Sequence, residues 1–172
     1  TAGGVGPASF YSLKSNGVFS TDAEANAANL FKMLPNGTLA PYQAGDVRYV
    51  DTNGDKVIDD RDRQNIGNPN PDYTGAVTSK ISWKSFTLDF LFTFSSGNQV
   101  YNGVRKALES QSGMENQLLS VNNRWRAQGQ ITNMPKATWG DPMGNAAFSD
   151  RFIEDGSFFR MKAVTLNYHL PL

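Results

Sequence analysis

The residues of this sequence best suited to chemistry lie in one short acidic segment, residues 51–62. Oxygen-bearing side chains occupy its first, third, fifth, ninth and twelfth positions, and the seventh position can supply a backbone carbonyl. Calcium takes about six to eight hard oxygen ligands in a flexible ring, and this spacing is typical of a calcium loop of the EF-hand type. The predicted Ca²⁺ ligands are Asp51, Asn53, Asp55, Val57, Asp59 and Asp62.

The identities of three residues in the segment, Lys56, Ile58 and Asp62, bear on this prediction. Ile58, at the eighth position, is expected to anchor the loop on an apolar core, which favours a calcium loop. Lys56 stands where such loops usually have glycine, and Asp62 is shorter than the glutamate that usually binds through both oxygens. No flanking helices are evident. The alternative interpretation is a solvated Asp/Asn turn without an ion.

Elsewhere the sequence offers little for catalysis. His169 is the single histidine and there is no cysteine, which excludes His-dependent triads, His-rich zinc sites and disulfides. Residues 3–6 (GGVG) lack the Lys-Ser/Thr ending of a phosphate-binding loop. We therefore expect that the chain is not an enzyme. Four aromatic residues could either stack on sugar rings or pack within a loop: Trp125, Trp139, Phe148 and Phe152.

Residues 73–95 contain two strictly alternating segments that meet at a short turn, Lys84-Ser85. Period-2 alternation gives a strand one apolar and one polar face. Pairing about this turn puts both apolar sets on the same side and places Lys80 opposite Asp89. Strands of about 9–11 residues with one apolar and one polar face suit a membrane barrel. A half-buried hairpin of a soluble β-sandwich is the alternative.

A third strand is predicted from Phe158 to the end of the chain. Its apolar residues change parity near Ala163–Val164, which indicates a bulge. The fold class is therefore all-β, with short helices in long loops. The remaining predicted elements are a polar loop over residues 45–72, an irregular loop over 129–150, and helices at 21–33 (capped by Thr21 or Asp22), 100–111 and 115–126.

The length, composition and net charge of the chain exclude several classes of protein. The chain has 172 residues, a net charge of zero and a pI near 6.5, which gives no electrostatic case for nucleic-acid binding. Its 39% hydrophobic content is too high for a disordered chain. No run of 18 apolar residues predicts a transmembrane helix. The start lacks the features of a signal peptide and the end stops within a strand-like pattern, so we expect a fragment.

Five segments carry a resemblance to a known family. The chain resembles the SusC/RagA family of TonB-dependent outer-membrane transporters of Bacteroidetes. In order and spacing, the similar segments extend over nearly the whole chain. They are residues 10–19 (FYSLKSNGVF), 45–55 (GDVRYVDTNGD), 66–75 (IGNPNPDYTG), 123–125 (NRW) and 149–162 (SDRFIEDGSFFRMK).

The resemblance implies a fold and a membrane topology. Residues 1–172 would form a partial antiparallel transmembrane β-barrel, from the later part of a barrel of about 22 strands with a plugged lumen. Residues 73–95 would be a transmembrane hairpin and 158–172 a further strand. Because the turns of such barrels are short on the periplasmic side, residues 45–72 and 96–157 would be extracellular.

The resemblance also implies partners. Members of the family import oligosaccharides or peptides together with a SusD-like surface lipoprotein, and the TonB complex supplies energy through a plug domain that we expect this chain to lack. The location would be the cell outer membrane, with lipid against the apolar strand faces. The rival function is that of a secreted, calcium-stabilised β-module for carbohydrate binding or adhesion. The two differ in whether Phe86, Phe90 and Phe94 face lipid or a protein core.

Overall fold

The structure is a computed structural model and describes residues 8–170. The chain divides into two compact units, which we call the sheet unit and the loop unit. Within the described residues, the sheet unit comprises residues 8–9, Asn68–Val100 and residues 154–170, and the loop unit comprises Phe10–Gly67 and Tyr101–Ile153.

Short strands dominate the loop unit, and three long strands form the sheet unit. Within the described residues the strands are β1 Phe10–Ser12, β2 Ser15–Val18, β3 Phe31–Met33, β4 Leu39–Pro41, β5 Val47–Tyr49, β6 Val57–Ile58, β7 Gln64–Gly67, β8 Tyr73–Trp83, β9 Phe86–Ser96, β10 Gln99–Tyr101, β11 Ile153–Asp155 and β12 Phe158–Tyr168. The α-helices are α1 Asp22–Ala28 and α2 Gly103–Leu108, and 3₁₀ helices cover Asp60–Asp62, Leu119–Asn123 and Asp150–Phe152. No helix among residues 8–170 is long and apolar enough to cross a membrane.

The sheet unit is built on one antiparallel sheet with the strand order β12-β9-β8. Strands β8 and β9 pair along their whole length, and Lys80 lies opposite Asp89 as the sequence predicts. The hairpin turn places Lys84 in the left-handed region, with φ 52°. The predicted register is therefore confirmed. In the turn, a lysine occupies a left-handed position where glycine or asparagine is usual.

A bulge interrupts the pairing of β12 with β9. Met161 lies opposite Phe92 and Ala163 lies opposite Leu91, so Lys162 is the extra residue on β12. The bulge returns the apolar residues on both sides of Lys162 to the same face of the sheet. The predicted change of parity in this strand is confirmed.

The loop unit is held by several small sheets around one apolar core. Its sheets pair β1 with β7, β2 with β5, and β3 with both β4 and β6. Because each of these strands is short, the core rather than strand pairing supplies most of the stabilisation. The buried core residues are Leu13, Phe19, Ala25, Leu30, Tyr42, Val47, Tyr49, Ile58 and Met143.

The helix predicted over residues 21–33 is shorter than expected. Thr21 caps it as predicted, since its hydroxyl oxygen accepts a hydrogen bond from the Glu24 backbone N–H at 3.2 Å. The helix ends at Ala28 because Asn29 adopts a left-handed conformation with φ 52°. The residues beyond it form β3, whose pairing with β4 and β6 outweighs the helical pattern.

Three other sequence predictions were wrong in detail. Residues 45–72, interpreted as a polar loop, contain strands β5, β6 and β7, which pair with strands distant in the sequence. The helix expected at 100–111 is reduced to α2, and that at 115–126 to a 3₁₀ helix. The irregular loop predicted over 129–150 is confirmed up to the isolated bridge at Ser149, after which a 3₁₀ helix begins.

Candidate functional site

The acidic loop, residues 51–62, follows β5, includes the short strand β6 and ends with the 3₁₀ helix Asp60–Asp62. The Asp51 carboxylate accepts hydrogen bonds from the backbone N–H groups of Gly54 at 2.7 Å and Lys56 at 3.0 Å. The Asn53 side-chain oxygen accepts one from Asp55 N–H at 2.9 Å. Such bonds from Asx side chains to nearby backbone fold the loop without regular secondary structure.

Asp62 closes the acidic loop at its far end. Its carboxylate is fully buried and accepts one hydrogen bond from Thr52 N–H and another from Asp59 N–H, both at 2.9 Å. The loop is also anchored by Ile58, which is fully buried in the core of the loop unit. The prediction that Ile58 fixes the loop on a core is therefore confirmed.

Arg61 is the residue of this loop that sequence reasoning missed. Its Nη2 atom lies 2.9 Å from Asp55 Oδ2 and 2.8 Å from Asp59 Oδ2, so one guanidinium contacts two of the predicted ligands. Hydrogen bonds from Arg61 hold the pKa of Asp59 below its usual value. An arginine two residues after Asp59 was the available clue, but the eleventh position is not a ligand position in calcium loops.

The sixth position shows why calcium loops favour glycine there. Lys56 adopts a left-handed conformation with φ 65°, which an L side chain enters at a cost of about 1–2 kcal/mol. The following residue, Val57, is on β6 and pairs in parallel with Phe31 of β3. The backbone at the sixth and seventh positions is thus fixed by the core sheet rather than by the loop alone.

The structure brings the six predicted ligands onto one closed loop but does not gather their carboxylates. Among residues 8–170 no group of three or more acidic or histidine side chains is close enough to hold a metal ion. The donors themselves are hard oxygens, which is the chemistry that Ca²⁺ requires. A coordination shell built from them would require Arg61 to leave Asp55 and Asp59.

The three-stranded sheet presents two chemically different faces. On one face the aromatic and aliphatic side chains are exposed, including Val77 at 54%, Phe86 at 43% and Leu166 at 65%. The other face is mostly polar, and there Asn167 Nδ2 approaches Asp89 Oδ2 at 3.4 Å. The apolar face consists of Gly75, Val77, Ser79, Ile81, Trp83, Phe86, Leu88, Phe90, Phe92, Phe94, Phe159, Met161, Val164, Leu166 and Tyr168.

A buried polar cluster fixes the irregular part of the loop unit, and sequence reasoning did not find it. Asp46 is fully buried and accepts hydrogen bonds from Asn145 Nδ2 at 3.0 Å, while Lys136 Nζ lies 3.2 Å from its other oxygen. Gly45 has φ 83°, and a Cβ there would lie 2.6 Å from a ring carbon of Trp125. These contacts explain the Gly-Asp pair of the segment at residues 45–55.

The four aromatic residues considered for sugar stacking separate into two groups. Phe152 is fully buried, and Phe148 packs edge-on against Tyr101 with ring centroids 4.7 Å apart. Trp125 donates its indole N–H to the Ser20 carbonyl at 3.1 Å. Trp139, by contrast, is 71% exposed. Loop packing accounts for three of them and leaves Trp139 accessible.

The chain is similar to TonB-dependent receptors. It is 30% identical over 137 residues to TonB-dependent receptor P26 of Formosa agariphila. This match covers 80% of this chain and 14% of that protein. It is 33% identical over 122 residues to TonB-dependent receptor SusC of Bacteroides thetaiotaomicron, covering 70% of this chain and 11% of that protein. The chain belongs to the SusC/RagA-type TonB-dependent receptors. No protein-family profile matches it.

Solved structures share the fold of this SusC/RagA-type chain. The RagAB peptide importer in its closed-closed state matches with a TM-score of 0.62 and 22% identity, over 95% of this chain and 16% of that one. The open-open state matches with a TM-score of 0.61 and 21% identity over the same shares. The predicted fold class, a partial antiparallel β-barrel with short helices in long loops, is confirmed. The chain spans 14% of the length of the first curated relative.

Proposed function

We propose that this chain is part of the barrel wall of an outer-membrane, TonB-energised nutrient importer. The observation that carries the proposal is the three-stranded sheet, whose strands of 11 residues have one exposed apolar face and one polar face. A transmembrane strand needs about 9–11 residues, with its apolar side toward lipid and its polar side toward the lumen. Membership of the SusC/RagA-type receptors supports the same function.

Topology supports an extracellular position for the residues of the loop unit. The β8–β9 hairpin turns at Lys84-Ser85. The chain enters β8 and leaves β9 at the end of the hairpin that is far from this turn. Outer-membrane barrels have short periplasmic turns and longer extracellular loops. On this topology the acidic loop and residues 101–153 belong to the outer side of the membrane.

The expected cargo is an oligosaccharide or a peptide, taken up with a SusD-like surface lipoprotein. Support for this cargo and partner comes from similar proteins. One relative is named SusC, and one similar solved structure is described as the RagAB peptide importer. The TonB complex would act through a plug domain elsewhere in the whole transporter. Trp139, exposed in the same long segment, is a candidate for stacking on a sugar ring.

The decisive experiment is size-exclusion chromatography of the purified chain in plain buffer and in mild detergent. We expect recovery only in detergent, because the apolar sheet face and the outer edges of β8 and β12 require lipid and neighbouring strands. A sharp monomer in plain buffer would contradict the barrel-wall function. It would favour instead the secreted, calcium-stabilised β-module.

We also propose that the acidic loop binds Ca²⁺ on the extracellular side. Support comes from the oxygen donors at calcium-loop spacing, the closure of the loop by Asp62 and its anchoring by Ile58. Calorimetric titration of the chain in detergent with Ca²⁺ should release or absorb heat at one site. The double variant Asp51→Ala/Asp55→Ala should give none. Absence of heat from the unsubstituted chain would overturn the proposal.

A further inference from the structure

Two arginines line a polar cavity in the loop unit, away from the acidic loop. The cavity has a volume of about 220 Å³ and is lined by Ser15, Gly17, Arg105, Asn133 and Arg151. A second cavity of about 250 Å³ shares Arg105, Asn133 and Arg151. We call the first of these the arginine cavity.

Arg105 already has a carboxylate partner. Its Nε atom lies 3.1 Å from Oε2 of Glu109, one turn further along the chain. Glu109 is buried, and its other oxygen accepts a hydrogen bond from the Ser120 hydroxyl at 2.7 Å. This charge is therefore balanced within the loop unit.

Arg151 is placed differently, because only neutral groups contact its guanidinium. Nη1 donates to the Asn145 carbonyl at 2.7 Å, and Nη2 lies 3.5 Å from the Asn133 carbonyl and 3.9 Å from the Met134 sulfur. Among the described residues no carboxylate oxygen lies within 4 Å of it. Burial lowers the pKa of Arg151, and the neighbouring Arg105 lowers it further, against the opposing charges of Glu109 and Asp150.

We propose that the arginine cavity binds a small oxyanion group, either a carboxylate or a sulfate. The planar guanidinium presents paired N–H donors that match two oxygens of such a group, and a charge-assisted bond would offset the desolvation of Arg151. Asn133 adds polar atoms to the same wall, whereas the Ser15 hydroxyl and N–H already donate to Asp150 Oδ1, at 2.6 and 2.8 Å. In an importer, this oxyanion would belong to the imported cargo. That assignment rests on the proposed function, whereas the binding site itself does not.

Thermal unfolding of the chain in detergent tests the site directly. Sodium sulfate and sodium acetate are each compared with sodium chloride at equal ionic strength. At an anion concentration ten times Kd, a ligand of the folded state should raise the Tm by about 3 °C. A rise with acetate identifies a carboxylate site. Because sulfate also stabilises folded proteins by exclusion from their surface, a rise with sulfate alone identifies a sulfate site only if the variant Asn133→Asp loses it. The same Tm in all three salts would overturn the proposal.

A substitution that supplies an internal counter-charge provides the matched control. Asn133 is exposed, so Asn133→Asp should fold normally and place a carboxylate at the cavity, which should abolish the excess Tm shift. Asn122→Asp adds the same charge at another exposed residue of the segment and should retain the shift. An unchanged shift in Asn133→Asp would show that the anion acts elsewhere.

A third variant addresses Arg151 itself. Arg151→Gln should also abolish the excess shift, but it removes the bond to Asn145 and can lower stability on its own. For that reason Asn133→Asp is the primary variant. If chromatography contradicts the barrel-wall function while the anion shift persists, the oxyanion site stands and only its assignment to cargo is lost.

Discussion

Lys56 is the residue of the acidic loop with the clearest conformational cost. It holds a left-handed φ of 65° without contributing a ligand. Substitution Lys56→Gly should raise the free energy of unfolding by about 1 kcal/mol, because glycine enters this region without a Cβ clash. Urea unfolding of the chain in detergent, followed by pulse proteolysis, measures the change.

Lys56→Ala is the control for this prediction. Alanine removes the same positive charge but keeps the Cβ, so it should give no comparable gain in stability. Equal gains for alanine and glycine would indicate that the lysine charge, rather than the backbone conformation, limits the stability of the loop.

Single residues differ in how far the sequence could predict their roles. Thr21 as a helix cap and Ile58 as an anchor follow from short-range patterns, and both are confirmed. Arg61 and Asp46 could not be interpreted in the same way. Their partners come together only when the chain closes on itself, and Asp46 meets Asn145 across 99 residues of sequence.

At the scale of elements, β8 offers a test of the two sheet faces with adjacent residues. Val77 lies on the apolar face and Thr78 on the polar face, both at the middle of the strand. Val77→Arg should destabilise the chain in detergent by about 2–4 kcal/mol, the cost of a cation near the bilayer midplane. Thr78→Arg should cost less than about 1 kcal/mol.

Refolding from urea into detergent micelles, with the folded fraction read from gel mobility, measures both variants. The pair shares a strand, a depth and an introduced side chain, so the difference reports the face alone. Equal costs for the two variants would contradict a lipid-facing apolar surface.

Long strands were predictable from this sequence and short ones were not. The β8–β9 register follows from alternation over 11 residues on each side of a short turn. Strands β2 and β5 are four and three residues long, too short for alternation to identify them. Their pairing depends on the burial of Val47 and Tyr49 in a core assembled from distant parts of the chain.

At the scale of the whole molecule, the buried cluster around Asp46 joins distant segments of the loop unit, since Asp46 contacts both Lys136 and Asn145. Among residues 8–170, three donors contact the Asp46 carboxylate: Gln43 N–H, Lys136 Nζ and Asn145 Nδ2. Asp46→Asn would turn an amide NH₂ toward one of these donors. We expect a loss of about 2–4 kcal/mol in the free energy of unfolding of the loop unit.

Limited proteolysis with mass spectrometry should then detect cleavage within residues 129–149 at lower urea concentration than in the unsubstituted chain. Asp60→Asn is the matched control, since its exposed carboxylate pairs with Arg63 at the surface. That variant should change stability by less than about 0.5 kcal/mol. A similar loss in both variants would contradict the structural role of Asp46.

The bulge at Lys162 has a consequence for which substitutions β12 tolerates. A regular strand with one apolar face needs an apolar side chain at every second residue. In β12 we expect this requirement at 159, 161, 164, 166 and 168, because the bulge widens the spacing from two to three residues between 161 and 164. A saturation library of this strand, selected for folding in membranes, would therefore accept polar residues at 163 and reject them at 164. A single-residue insertion or deletion in β12 would exchange the positions that accept polar side chains with those that reject them.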